Sequence, residues 1–223
     1  MSGGATARLF LAVDPPEQVC LELSSWARTV AASLPGEARG RSDPDAGRGA
    51  RRSDVARGRH GRDPRPQLRV LPAEALHITL CFLGSRPVEE IDTLVAVPCA
   101  STTEVGELSV GAPLWLPPRR PGNLAVEIHD EDGELERLQR ELAGELERVV
   151  GWEPGRRRFR AHLTVARVRG REPLLAGPGD PAAVPVTPAL RFQPESVTLY
   201  RSFLEPSGAR YEALASRPLG RIT

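Results

Sequence analysis

Lysine is missing from this chain: all thirty basic residues are arginines. With twenty-nine acidic residues against them the formal net charge is only +1, so the charge balance by itself argues for no particular partner. Aromatic residues are scarce, at 4% of the chain, so any stacking surface must be built from few of them. Cysteine is limited to Cys20, Cys81 and Cys99, an odd number without Cys-x-x-Cys spacing. That pattern argues against a disulfide framework or a cysteine zinc site and leaves three thiols expected in the core. No apolar run reaches the roughly 18 residues of a membrane helix, and Met1 to Thr6 carries neither a basic start nor a following signal-peptide pattern. The expected location is the cytoplasm, without membrane association.

What is present is enough for a globular core: 223 residues, 40% of them hydrophobic, suffice for one large domain or two small lobes. Arg8 to Val13 reads as a short apolar strand, and Glu17 to Leu34 as a helix with Val19, Leu23, Trp26 and Val30 on one face. Residues 36–66 break every pattern, with nine Arg among Gly, Pro and Asp, and are expected to be a disordered insertion. Order resumes with Leu68 to Leu71 and a strand Leu76 to Leu83, then an expected helix from Val88 to Val97. Leu108 to Leu116 and Asn123 to Ile128 read as strands, and Glu134 to Val150 as a strong amphipathic helix on Leu135, Leu138, Leu142, Leu146 and Val149, stopped by Gly151. A strand over Arg158 to Val168, a loop over Arg171 to Ala189, and a closing hairpin of Val197 to Leu204 with Arg210 to Leu214 complete the reading. Strand pairs joined by turns, with helices outside, predict an α+β plan of antiparallel sheets.

Within these strands one tetrapeptide recurs. His77-Ile78-Thr79-Leu80 returns as His162-Leu163-Thr164-Val165. Alternate residues of a strand leave the same face, so His77 and Thr79 point together, as do His162 and Thr164, while the apolar residues between them anchor the strand from behind. A single strand histidine is usually a packed core residue. Two His-x-Thr strands in matching apolar settings instead suggest a paired-histidine phosphate site.

The chain outside the insertion resembles the two-histidine phosphoesterase superfamily, and within it the RNA 2′,3′-cyclic phosphodiesterases, also called LigT-like 2′-5′ RNA ligases. The resemblance rests on RLFLAVDPPEQV, LHITLCFLG, PPRRPGNLAVEI, FRAHLTVARVR and VTLYRSFLEPSGARYEAL, in that order. It implies a bilobal α+β fold, two antiparallel sheets facing a V-shaped groove with helices outside. It also implies hydrolysis of terminal RNA 2′,3′-cyclic phosphates to 2′-phosphates without cofactor or metal. By the same resemblance His77 is the proton donor and His162 the proton acceptor, with Thr79, Thr164 and Arg167 on the phosphate. Three departures bear on substrate preference: the insertion, Ala161 where the family usually has Pro, and no aromatic residue in Arg69-Val70-Leu71.

Paired imidazoles suit this chemistry because a reference pKa near 6.5 lets one ring be neutral while the other carries a proton. Threonine hydroxyls beside them can stabilise charge on the non-bridging oxygens. Arg160 shares strand parity with His162 and is a further candidate for the phosphate, whereas Arg167 has opposite parity and needs a twist or strand end to enter. Trp115, Trp152, Phe159, Phe192 and Tyr200 could offer a stacking face for a base, but core packing is the default reading for them and for Phe10. His129-Asp130 lacks supporting metal ligands and falls where a strand passes into a helix, with Asp130 or Asp132 placed to cap it. His60 falls in the insertion. The alternatives are a related phosphodiesterase acting on a small cyclic nucleotide or a 2′-5′ linkage with weak reverse ligation, a noncatalytic module that binds RNA ends, and metal-dependent hydrolysis. A monomer is expected.

Overall fold

The computed structural model describes residues 4–33, 67–118, 121–155, 158–169, 184–205 and 208–219. The insertion at 36–66, His60 and most of the 171–189 loop lie outside them. The chain runs β1 (Thr6–Asp14), α1 (Glu17–Ser33), β2 (Gln67–Val70), a 3-10 turn (Ala73–Ala75) and β3 (Ile78–Pro87). After a second 3-10 turn (Val88–Glu90) come α2 (Ile91–Leu94), α3 (Val97–Ala100), β4 (Leu108–Leu116), β5 (Asn123–His129) and α4 (Glu134–Val150). The last strands are β6 (His162–Arg169), β7 (Arg191–Phe192), β8 (Ser196–Glu205) and β9 (Gly208–Pro218).

Every strand pairing is antiparallel, and the strand order is β7-β4-β5-β6-β3-β1-β8-β9 with β2 beside β6. β3 and β6 meet through one register pair, Ile78 opposite Leu163. All nine strands belong to one sheet, and that pair divides it into two halves, β3, β1, β8 and β9 on one side and β6, β5, β4, β7 and β2 on the other. The α+β antiparallel plan is therefore present, but as one open sheet of two halves rather than the two separate sheets expected, and each His-x-Thr motif belongs to a different half.

The two long helices follow their apolar periodicity. Val19, Leu23, Trp26 and Val30 of α1 are buried, as are Leu135, Leu138, Leu142 and Leu146 of α4. Each such side chain stabilises the fold by about 1.5–3 kcal/mol through apolar burial. At its start, α4 is capped by the Asp130 carboxylate, which accepts the amides of Glu134 (3.0 Å) and Leu135 (2.8 Å). At its end, Gly151 takes the left-handed conformation (φ 61°) and returns its amide to Glu147.

Two further expectations need correction. The helix expected over Val88 to Val97 is a 3-10 turn and two single α-turns; α2 does not run on into α3, since a continuous helix would need an N–H at Pro98 for the Leu94 carbonyl. Pro98 sits instead in the first turn of α3, where a missing donor costs nothing. The three cysteines are not all buried: Cys20 and Cys81 are, but Cys99 is exposed, since Val97 and Pro98 take the inward face of α3. Burial pushes the Cys20 thiol up to about 11 and the Cys81 thiol up to about 12.

Candidate active site

The lone pair that joins the two halves of the sheet also assembles the site. Ile78 and Leu163 are both 0% exposed, so their neighbours on either side face away from the core. Continuing the antiparallel register by one residue sets His77 beside Thr164 and Thr79 beside His162. All four line one cleft of about 190 Å³, together with Arg8, Phe10, Asn123, Arg167 and Tyr211. His77 itself lies just before β3, in the extended stretch after the 3-10 turn.

Both imidazoles are held in the same way. His77 donates Nδ1–H to the Ala75 carbonyl at 2.9 Å, and His162 donates Nδ1–H to the Arg160 carbonyl at 2.8 Å. With Nδ1 engaged as donor, Nε2 is the nitrogen left to exchange protons in each ring. Two histidines from the two halves of the sheet, clamped alike and flanked by hydroxyls, thus each turn a proton-exchanging nitrogen to the cleft.

Arg167 reaches this cleft by a backbone irregularity. In the β5–β6 ladder Ala125 faces Thr164 and Leu124 faces Ala166, so Val165 is left over as a bulge. A bulge reverses strand parity beyond it. Ala166 therefore turns into the core and Arg167 into the cleft, where its guanidinium lies 3.5 Å from the Tyr211 hydroxyl. Arg160 is not brought into the cleft: its guanidinium is bound to Glu127 at 2.6 Å on the surface. Glu127, directly opposite His162 across the ladder, draws Arg160 sideways, and this hydrogen bond holds the Glu127 carboxyl below its ordinary range.

Aromatic packing sets the proton affinity of His77. Its ring stacks on Phe10 at 4.8 Å and meets the edge of Tyr211 at 5.1 Å, and Tyr200 stacks on Phe10 at 5.3 Å with its ring 6.3 Å from that of His77. Burial pushes His77 down to about 4; the hydrogen bond to Ala75 and the charge of Asp14 oppose the drop, and the positive charges of Arg167 and His162 deepen it. Asp14, at the end of β1, accepts hydrogen bonds from Ser196 (2.7 Å), Thr198 (2.6 Å) and Tyr200 (2.9 Å). Burial and that carboxylate together push the Tyr200 phenol upward.

Sequence reasoning missed Phe10 and Tyr211 as site residues, since each looks like an ordinary strand aromatic. Their alternate positions on β1 and β9, in register through Tyr200 and Ser202 of β8, were the available signal. Of the five aromatics considered for stacking, none lines the cleft: Phe192 is buried, Trp115, Trp152 and Phe159 pack on the core, and Tyr200 stacks on Phe10. His129 contacts Glu127 at 3.5 Å and Asp130 serves as the helix cap.

These features define an α+β protein with the LigT-like fold. Among solved structures the chain is similar to TT0787 of Thermus thermophilus, with a TM-score of 0.68 and 25% identity over 95% of this chain and 97% of that one. It is similar also to E. coli LigT complexed with 3′-AMP, with a TM-score of 0.65 and 19% identity over 97% of this chain and 100% of that one. A structure described as a phosphoesterase superposes with a TM-score of 0.60 and 20% identity over 97% of this chain and 100% of that one. No protein-family model and no curated protein matches the chain.

Proposed function

We propose that this protein is a two-histidine phosphodiesterase that opens the 2′,3′-cyclic phosphate at the end of an RNA and leaves a 2′-phosphate. The carrying observation is the matched pair of imidazoles, each clamped at Nδ1 and with no hydrogen bond at Nε2 among the described residues, on opposite sides of one strand junction. His162 as base takes a proton from water at Nε2 while the water oxygen attacks phosphorus. His77 as acid delivers its Nε2 proton to the departing O3′, so the phosphate stays on O2′. Thr79, Thr164 and Arg167 supply donors for the non-bridging oxygens, where charge accumulates.

The low proton affinity of His77 fits this scheme once substrate charge is counted. An anionic phosphodiester beside His77 favours its protonated form directly, and by binding Arg167 it offsets a charge that lowers the pKa. Substrate thus arms its own acid. That the E. coli LigT fold neighbours were crystallised with 3′-AMP and with phosphate is in keeping with a nucleotide-phosphate ligand.

The test is turnover of a short RNA ending in a 2′,3′-cyclic phosphate, in chelator, by wild type, His77→Ala and His162→Ala. A 2′-phosphate is expected from wild type, with each variant slowed about 10²-fold or more. A 3′-phosphate would reverse the assigned roles. Activity lost only in chelator would replace the scheme with a metal-dependent one, and binding without turnover would leave an RNA-end binding module.

A further inference from the structure

The cleft does not end at the paired histidines. Leu71, Ala75, Ala209 and Tyr211 line both it and a second pocket of about 350 Å³, to which Arg69 and Arg210 contribute. Arg69 stands directly opposite Arg167 in the β2–β6 ladder. Opposed residues of antiparallel strands leave by the same face with Cα atoms about 5 Å apart, where like charges repel. Elsewhere Arg86, Arg148, Arg191 and Arg210 are each matched with a carboxylate. Among the described residues neither Arg69 nor Arg167 has such a partner, and Arg167 touches only the Tyr211 hydroxyl. The Arg69 guanidinium lies across Gly208, whose φ of 139° and missing side chain make room for it; any Cβ there would collide with the guanidinium. Glu74 and Glu205 also line this pocket, but Glu205 is engaged by Arg210 at 3.0 Å. Two opposed guanidiniums on one continuous groove are relieved by anions bound in series.

We infer that Arg69 binds the phosphate on the 5′-oxygen of the same nucleoside whose cyclic phosphate is opened beside Arg167. The protein then selects oligonucleotide ends over cyclic mononucleotides, which lack that group. This inference rests on the hydrolytic reading above and extends it to substrate class.

Two substrates decide it: adenosine 2′,3′-cyclic phosphate, and an adenosine dinucleotide ending in a 2′,3′-cyclic phosphate. Wild type is expected to favour the dinucleotide in kcat/KM by about tenfold, the size of one charge-assisted contact. Arg69→Gln should lose most of that preference through KM, and Arg69→Lys should retain part of it. Calorimetric binding of the dinucleotide 2′-phosphate should show a log K against log salt slope shallower by about 0.7 in Arg69→Gln. Equal losses on both substrates, or no preference in wild type, would overturn the inference. If wild type turns over neither substrate, the hydrolytic reading fails. The calorimetric slope then decides the phosphate contact alone, an unchanged slope overturning it and a shallower one sustaining it.

Discussion

His77 is placed where a histidine is hard to protonate, and this has a consequence for stability as well as for the proposed catalysis. Its ordinary value of 6.5 falls to about 4 in the fold, so between those limits the unfolded chain binds the proton and the folded chain does not. Stability is therefore full above about pH 6.5 and is lost as pH falls toward 4, on the order of 3 kcal/mol from this group. His77→Phe, which keeps the stack on Phe10, should lose less stability than wild type between pH 7 and pH 4.5 in urea unfolding. Equal losses would assign the acid sensitivity elsewhere. In solution NMR the His77 ring should titrate near 4 alone and move upward with a nucleoside 2′-phosphate bound; a midpoint unmoved by ligand would contradict proton uptake on binding. The charge partner that lowers this value, Arg167, was identifiable from family resemblance, but its entry into the cleft was not, because strand parity pointed it outward.

Among the elements, α4 was the most legible, since five apolar residues at helical spacing and a terminal Gly151 leave little choice. Its N-terminal cap was narrowed to Asp130 or Asp132, and Asp130 holds the position through two backbone amides. Asp130→Ala is expected to destabilise the protein by about 1 kcal/mol in urea unfolding, and Asp132→Ala by little. The reverse order would place the cap at the wrong residue. The stretch after β3 was misread in part because Val, Leu and Ile at helical spacing mask the absent N–H of Pro98, which separates α2 from α3. β6 differs in kind: nothing in HLTVARVR announces a bulge at Val165, which exists only as a mismatch with β5.

On the scale of the molecule, the two halves of the sheet share one backbone pair, so the alignment of the histidines depends on packing at Ile78 and Leu163. Ile78→Ala should cost about 2–5 kcal/mol, as for other buried aliphatic truncations. It should also lower turnover more than Leu138→Ala in α4, at a temperature where both variants remain folded by circular dichroism. Equal turnover in the two would show that the junction carries no special load in the site.

The sequence by itself determined the recurring His-x-Thr strands, the two long helices and the α+β plan. All of these follow from short-range periodicity: every second residue of a strand and every third or fourth of a helix shares a face. Only the tertiary structure decided which arginine enters the cleft, because Glu127 on a neighbouring strand captures Arg160 while a register mismatch turns Arg167 inward. It also decided that Phe10 and Tyr211 would enclose His77 and lower its proton affinity. Those outcomes depend on which strands lie side by side and in what register, and on the water that their packing excludes, none of which a local pattern encodes.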